Sequence, residues 1–396
     1  MADPVVIVSA ARTPIGGFQG DFASLAAPQL GAVAIRAAVE RAGIKPEQVD
    51  EVVFGNVLVA GLGQAPVRQA ALLAGLPLPV ACTAVSKVCG SALKAVMVAH
   101  DNILAGSYEI GVAGGQESMT NAPYLLPKAR GGYRLGHGQI IDHMFMDGLE
   151  DAYSKENRGR LMGSFAEECA ERYQFSRADQ DQFAIRSTTR AQEAIRNGSF
   201  AWEIAPVVVA GKKGEVAVRD DEQPPKAQLD KIPHLKPAFK KDGTVTPANS
   251  SSISDGAAAV VLMRESKAKA LGLTPLARIV GHATHAQQPA LFTTAPVGAM
   301  NKLLAKTGWT AESVDFYEIN EAFAVVTMAA IHDLKLPVEK VNVHGGACAL
   351  GHPIGASGCR ILVTLLGALK KYSGRRGVAS LCIGGGEATA LAVEML

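Results

Sequence analysis

The stretch "AGIKPEQVDEVVFGN", Ala42 to Asn56, has a partner in "TGWTAESVDFYEINE", Thr307 to Glu321. Gly43 aligns with Gly308, Val49 with Val314 and Asp50 with Asp315, each pair 265 residues apart. Glu117 in "AGGQES" and Glu387 in "IGGGEA" lie 270 apart, so a few residues have entered between the copies. One supersecondary unit occurs twice in this chain. The first copy reads as a strand at "VVIVSA", a helix at "LGAVAIRAAVERAG", a strand at "EVVFGNV", a helix near "VRQAALLAG", a helix from Gly90 to Leu104 and a strand at "IGVAGG". The second reads as a strand at "ARIVGHA", a helix at "VGAMNKLLAKTG", a strand at "DFYEI", a helix at "AFAVVTMAAIHDL", a helix from Ala356 to Leu369 and a strand at "VASLCIGGG". Strands alternating with helices of this length predict a mostly parallel sheet covered on both faces, an α/β fold.

The second copy ends quickly, as strand, turn and strand in "CIGGGEATALAVEML", whereas the matching last strand of the first copy, "DGAAAVVLM", begins only at Asp255. The spacing predicts an inserted loop or lid domain over 119–249, between a first half of 1–118 plus 250–271 and a second half of 272–396. The insert is richer in Arg, Lys, Tyr and Pro. Its stretch "KKGEVAVRDDEQPPKAQLDKIPHLKPAFKK" reads as a solvated loop and β-flap, or as a lid whose cations meet a phosphorylated ligand.

At 396 residues the chain exceeds one ordinary core. It is 48% hydrophobic and 19% charged with a net charge of +2, which argues for a globular protein and against nucleic acid or an acidic membrane as partner. The N-terminus lacks a basic leader and a long apolar run, and "LLAGLPLPVACTAV" is too short to span a bilayer. The six cysteines are scattered without a CxxC pair, which suggests neither a zinc ribbon nor a disulfide framework; a reducing cytoplasm fits best.

In "SKVCGSALKAVM", Cys89 stands at the mouth of a helical pattern. A free cysteine is commonly a small core residue, but helix N-terminal N–H groups favour the nucleophilic thiolate. The duplication weighs on this choice, because matching loops of the two copies meet near a pseudo-twofold axis. The loop matching that of Cys89 is "VNVHGGACALGHPIGASGCR", which carries His352. Val112 maps onto Cys382, before three glycines able to offer an oxyanion hole, and "NEAF" sets Asn320 and Glu321 at a strand end, where open α/β sheets bind ligands. Together these groups favour Cys89 as a nucleophile.

The blocks "KVCGSALKAV", "NEAFAV" with "GGACALGHPIGASG", and "CIGGGEATA" resemble the thiolases, the acetyl-CoA C-acyltransferase and 3-ketoacyl-CoA thiolase family, and the likeness runs the whole length of the chain. The resemblance implies two βαβαβαββ halves in five layers, αβαβα. It implies that Cys89 takes the acyl group, that His352 accepts the Cys89 proton, and that Cys382 moves the α-carbon proton. Asn320 would hold a water that, with His352, faces the enolate oxygen, and the N–H groups of Cys89 and Gly384 would form a second oxyanion hole. Leu149, Met162, Phe239, Ser251 and Phe323 would line the pantetheine tunnel. Coenzyme A and acyl-CoA would be substrates, with no permanently bound cofactor and no metal in the chemistry, and the assembly a homodimer or homotetramer. The chain departs from the usual pattern at Ser86, Ala92, His344, Pro247, Ala248 and Leu161, and at Phe292, which would reshape the acyl pocket. A longer- or medium-chain thiolase, a ketoacyl synthase and a non-catalytic acyl-CoA or lipid carrier are the competing readings. A ketoacyl synthase would use two histidines where this chain offers His352 and Cys382.

Overall fold

The repeat reappears in the strand order. The computed structural model describes residues 3–211 and 214–396. The first copy supplies β1 (Val5–Arg12), β2 (Glu51–Gly55), β3 (Ala81–Val85), β4 (Ile110–Ser118) and β5 (Ser254–Arg264). The second supplies β6 (Ala277–Ala286), β7 (Phe316–Ile319), β8 (Arg376–Ile383) and β9 (Glu387–Met395). They join in the order β3-β2-β4-β5-β1-β6-β9-β8-β7. Outward from the β1–β6 junction the halves run alike, except that the counterpart of β3 shrinks to one bridge between Tyr317 and Val341.

The sheet is mixed, not mostly parallel. Only β2–β3, β2–β4 and β7–β8 run parallel, while β1–β5, β4–β5, β6–β9, β8–β9 and β1–β6 are antiparallel. Each copy closes with a strand that returns beside its predecessor, and this reversal sets the direction next to β1 or β6. The sequence reading also missed β3, a short, largely exposed edge strand whose "ACTAV" lacks a buried alternation.

Strand alternation sorts the core into layers. Along β5, Ala257, Ala259, Val261 and Met263 face α1 (Ala27–Ala42) and α2 (Pro66–Leu73), while Ala258, Val260 and Leu262 face α3 (Ser91–Ala105). Along β9, Leu391 and Val393 join that same central cluster with the helix Ser357–Lys371, and Ala388, Ala390 and Ala392 face the helix Ala295–Thr307. Helices thus lie outside each half-sheet and in a layer between them, αβαβα. α3 and Ser357–Lys371 are symmetry mates, packed so closely that a Cβ on Gly358 would meet the Leu93 backbone nitrogen at 2.4 Å.

Asp255 pairs with Ser118, so the chain leaves the sheet after β4 and re-enters at β5. Between them run α4 (Met162–Tyr173), α5 (Arg177–Arg196) and the hairpin Val207–Gly211 with Gly214–Val218. Lys212 and Lys213 of the expected flap lie outside the described residues. Phe165, Ala166 and Ala170 of α4 pack on Val325 and Val326 of the second copy. Buried Arg12 on β1 pairs with Glu203 at 2.6 Å and Asp221 at 2.7 Å, which fastens this segment to the sheet.

Candidate functional site

The chain enters α3 through a tight turn. The Gly90 N–H donates to the Lys87 carbonyl at 3.0 Å and the Ser91 N–H to the Val88 carbonyl at 3.1 Å. Ser91 Oγ accepts from the Lys87 N–H at 2.8 Å and donates to the Val88 carbonyl at 2.7 Å. These bonds hold Val88 at φ 44°, where a β-branched side chain is strained; such strain concentrates at functional sites. Cys89 follows, just before the N-cap residue Gly90. A Cβ on Gly90 would meet Ile383 Cδ1 at 2.3 Å, so the turn abuts the end of β8, next to Cys382. Lys87 also pairs with Glu387 of the second copy.

The loop bearing His352 is gripped by the first copy. The Gly355 carbonyl oxygen lies 2.1 Å from where a Cβ on Gly115 would stand, a backbone approach that only glycine permits. Gly355 N–H donates to Glu117 Oε2 at 2.9 Å, and the same carboxylate accepts from Asn56 Nδ2 at 2.8 Å and Val57 N–H at 3.0 Å. Burial pushes Glu117 up to about 7 against those donors.

His352 Nδ1 meets Ser357 Oγ at 2.5 Å, and Ser357 Oγ donates its one proton to the Pro353 carbonyl at 2.9 Å. The hydroxyl must therefore accept from the imidazole, which fixes the proton on Nδ1. Nε2 keeps its lone pair and has no hydrogen-bond partner among the described residues. Burial, helped by the charge of Arg360, pushes His352 down to about 3, so it is a neutral base at ordinary pH.

Cys89, His352 and Gly384 line one cavity of about 350 Å³. Removal from water pushes the Cys89 thiol up to about 11, against the N–H groups of Gly384 and of Cys89 itself. The expected thiolate-favouring effect of the helix mouth is outweighed, because the surrounding wall is apolar. At rest Cys89 is therefore a thiol and His352 a neutral imidazole lining the same cavity.

Leu149, Met162, Phe239, Ser251, Phe292 and Phe323 line the same cavity, as does Leu161. Phe239 meets Phe323 edge-on at 6.0 Å, Phe323 meets Phe292 at 6.4 Å and Phe292 meets Phe165 at 6.3 Å. Cys382 and Asn320 are buried and are not among the residues that line the cavity. Cys382 is buried with Phe292 and Phe323, and burial, reinforced by the Cys89 charge, pushes its thiol well up. Asn320 is buried, with Nδ2 and Oδ1 both lacking hydrogen-bond partners among the described residues. Such a carboxamide costs about 1–3 kcal/mol unless water or ligand completes it, so this residue suits a bound water. Glu321 is satisfied by Ser187, Asn342 and the Cys348 N–H.

Ser357 and the liners Val88, Met119, Phe145 and Ile354 escaped the sequence reading. A serine five residues after a histidine gives a signal only once a helix start is known to fold it back. A second groove, about 710 Å³, shares Pro247, Ser252 and Ile253 with the cavity and carries Lys226 and Lys231.

Residues 5–266 match the profile described as thiolase, N-terminal domain, and 273–395 that of thiolase, C-terminal domain. The chain belongs to the thiolase family. Among its thiolase relatives, the acetyl-CoA acetyltransferase of Cupriavidus necator is 52% identical over 98% of this chain and 99% of its own. Acetyl-CoA acetyltransferase 2 of Arabidopsis thaliana is 52% identical over 99% and 97%. The crystal structure of the Bacillus anthracis acetyl-CoA acetyltransferase superposes with a TM-score of 0.96 at 42% identity, covering 100% of this chain and 99% of that one. That of Acat5 thiolase from Ascaris suum in complex with coenzyme A gives 0.93 at 42% identity, covering 99% and 100%. Among the described residues, no helix of this thiolase is long and apolar enough to cross a membrane.

Proposed function

We propose that this thiolase joins two acetyl-CoA molecules into acetoacetyl-CoA and coenzyme A, and catalyses the reverse thiolysis, through a thioester on Cys89. The observation that carries the reading is that Cys89, His352 and Gly384 line one cavity while His352 Nε2 is left without a hydrogen-bond partner among the described residues. In the first half-reaction the Cys89 proton passes to His352 Nε2 as sulfur attacks the thioester carbonyl. The C–S bond to coenzyme A breaks, and the leaving sulfur takes that proton. In the second, Cys382 acts after releasing its thiol proton to solvent: this minor thiolate form, made a strong base by its raised pKa, removes an α-proton from another acetyl-CoA. The enolate carbon attacks the acetyl carbonyl, the bond to Cys89 breaks, and Cys382 returns the proton to the Cys89 sulfur. A water on Asn320, with His352, faces the enolate oxygen, and the N–H groups of Cys89 and Gly384 face the acyl oxygen.

Residues 119–249 act in this reading as the lid that holds coenzyme A and supports assembly. Leu149, Met162, Phe239, Ser251 and Phe323 receive pantetheine, and the groove of Lys226 and Lys231 receives its phosphates. The protein works as a homodimer or homotetramer in the cytoplasm, without a permanently bound cofactor. Incubation with acetyl-CoA should add one acetyl group at Cys89 by mass spectrometry, and Cys89→Ser should lose transfer by several orders of magnitude. An adduct on Cys382 alone would reverse the assignments, and no adduct would favour a carrier. Thiolysis across 3-ketoacyl-CoAs should be fastest at the four-carbon substrate; a maximum at longer chains would make this a medium-chain enzyme with the same chemistry.

A further inference from the structure

Far from the cavity, three side chains from distant parts of the sequence converge. His100 and Asp101 lie toward the C-terminal end of α3, and His282 lies on β6 of the other copy. His100 Nδ1 is 3.0 Å from Asp101 Oδ1, and His282 Nε2 is 2.8 Å from the same oxygen. The ligand atoms of all three lie within 4.8 Å of one another. Cys89 is eleven residues up the chain from His100, about 16 Å along a helix axis, so this cluster is separate from the site described above.

We propose that His100, Asp101 and His282 form a binding site for a borderline first-row divalent cation, zinc fitting best, with a fourth position open to water. Zinc bonds imidazole nitrogen and carboxylate oxygen at about 2.0–2.2 Å, so tetrahedral ligand atoms stand roughly 3.3 Å apart. The two measured edges, 3.0 and 2.8 Å, are roughly 0.3–0.5 Å shorter than that and the third, between the histidines, is no more than 4.8 Å, so small side-chain adjustments seat the ion. Asp101 is 54% exposed and gives the entry path, while the imidazoles are largely shielded, His282 at 12% and His100 at 10%. Burial pushes both histidines down, opposed by Asp101, so both are neutral ligands near neutral pH. Lys306 faces both imidazoles and Arg264 faces His100, each a cation. Arg264 is occupied by the carbonyls of Asp3 and Leu104. With this positive surround and a single carboxylate, a hard ion such as magnesium or calcium is poorly served, and imidazole bonding decides the class. The ion would clamp α3 of one half to β6 of the other.

The test uses full-length, metal-stripped protein titrated with cobalt(II) and then with zinc. One equivalent of cobalt per chain should bind with visible d–d absorption and no sulfur-to-cobalt charge-transfer band, and zinc should displace it. His282→Ala and the near-isosteric Asp101→Asn should each weaken uptake at least tenfold while circular dichroism and thiolysis stay unchanged. The absence of stoichiometric uptake, equal uptake by both variants, or a sulfur-to-cobalt band placing the ion on the active-site thiols would each overturn the proposal.

Discussion

The histidine of this site is oriented by one hydroxyl. Ser357 fixes the His352 proton on Nδ1, and among the described residues nothing else holds that ring nitrogen. Ser357→Ala should therefore let the other tautomer populate and lower kcat by roughly 10–100-fold, a share of the usual general-base contribution, with KM and fold little changed. Equal turnover in the variant would show that the bond is only structural. His344 is a different case. It sits between Phe200 and Tyr372, and among the described residues neither ring nitrogen has a hydrogen-bond partner. Burial, with the charge of Lys371, pushes it down to about 4. Between pH 6.5 and 4 the unfolded chain binds a proton that the folded chain refuses, so stability is lost as pH falls through that window, by up to about 3 kcal/mol. The thermal midpoint of His344→Asn should fall less than that of the native protein between pH 7 and 4. Parallel curves would acquit His344.

Among the elements, β3 is the one whose state is unfinished. It is the outermost strand of its half, it is mostly exposed, and Leu72, Leu73 and Leu78 are exposed close by in sequence. A free edge with apolar neighbours is a pairing surface unless it is blocked. A second copy related by a twofold axis would cover it. Ala84→Pro removes an edge N–H and should shift the protein from dimer or tetramer toward monomer in light scattering at micromolar concentration. A native protein that is itself monomeric would remove the homodimer altogether. The counterpart edge in the second copy is only the Tyr317–Val341 bridge, so the two edges differ and the halves are not interchangeable.

Across the whole molecule, the proposed mechanism divides the labour between the two copies. The first brings Cys89 on its turn, and the second brings His352, Asn320 and Cys382. Cys382 is buried beside Phe292 and Phe323, whereas His352 lines the cavity with Cys89. Cys382→Ser should therefore still accept an acetyl group at Cys89 while losing condensation and thiolysis, and His352→Ala should lose both steps. Intact-mass measurement of burst acetylation separates them. Equal failure to acetylate would refute this division.

The duplication, the strands other than β3 and the turn that carries Cys89 were legible in the sequence, whereas the cavity residues from Leu149 to Phe323 came only from the resemblance to the thiolases. Repeats, hydrophobic periods and helix-start residues are local patterns, and a local pattern survives without the fold. Strand direction was not legible, because whether a closing strand runs parallel depends on which neighbour it returns beside. Nor was the raised pKa of Cys89, since the helix mouth is local but the apolar wall that desolvates the thiol is assembled from several distant segments. The Ser357 bond and the His100–Asp101–His282 cluster belong to the same class. A proton's place on a ring, or three ligand atoms within 4.8 Å, depends on distances that only the packing of one half against the other sets.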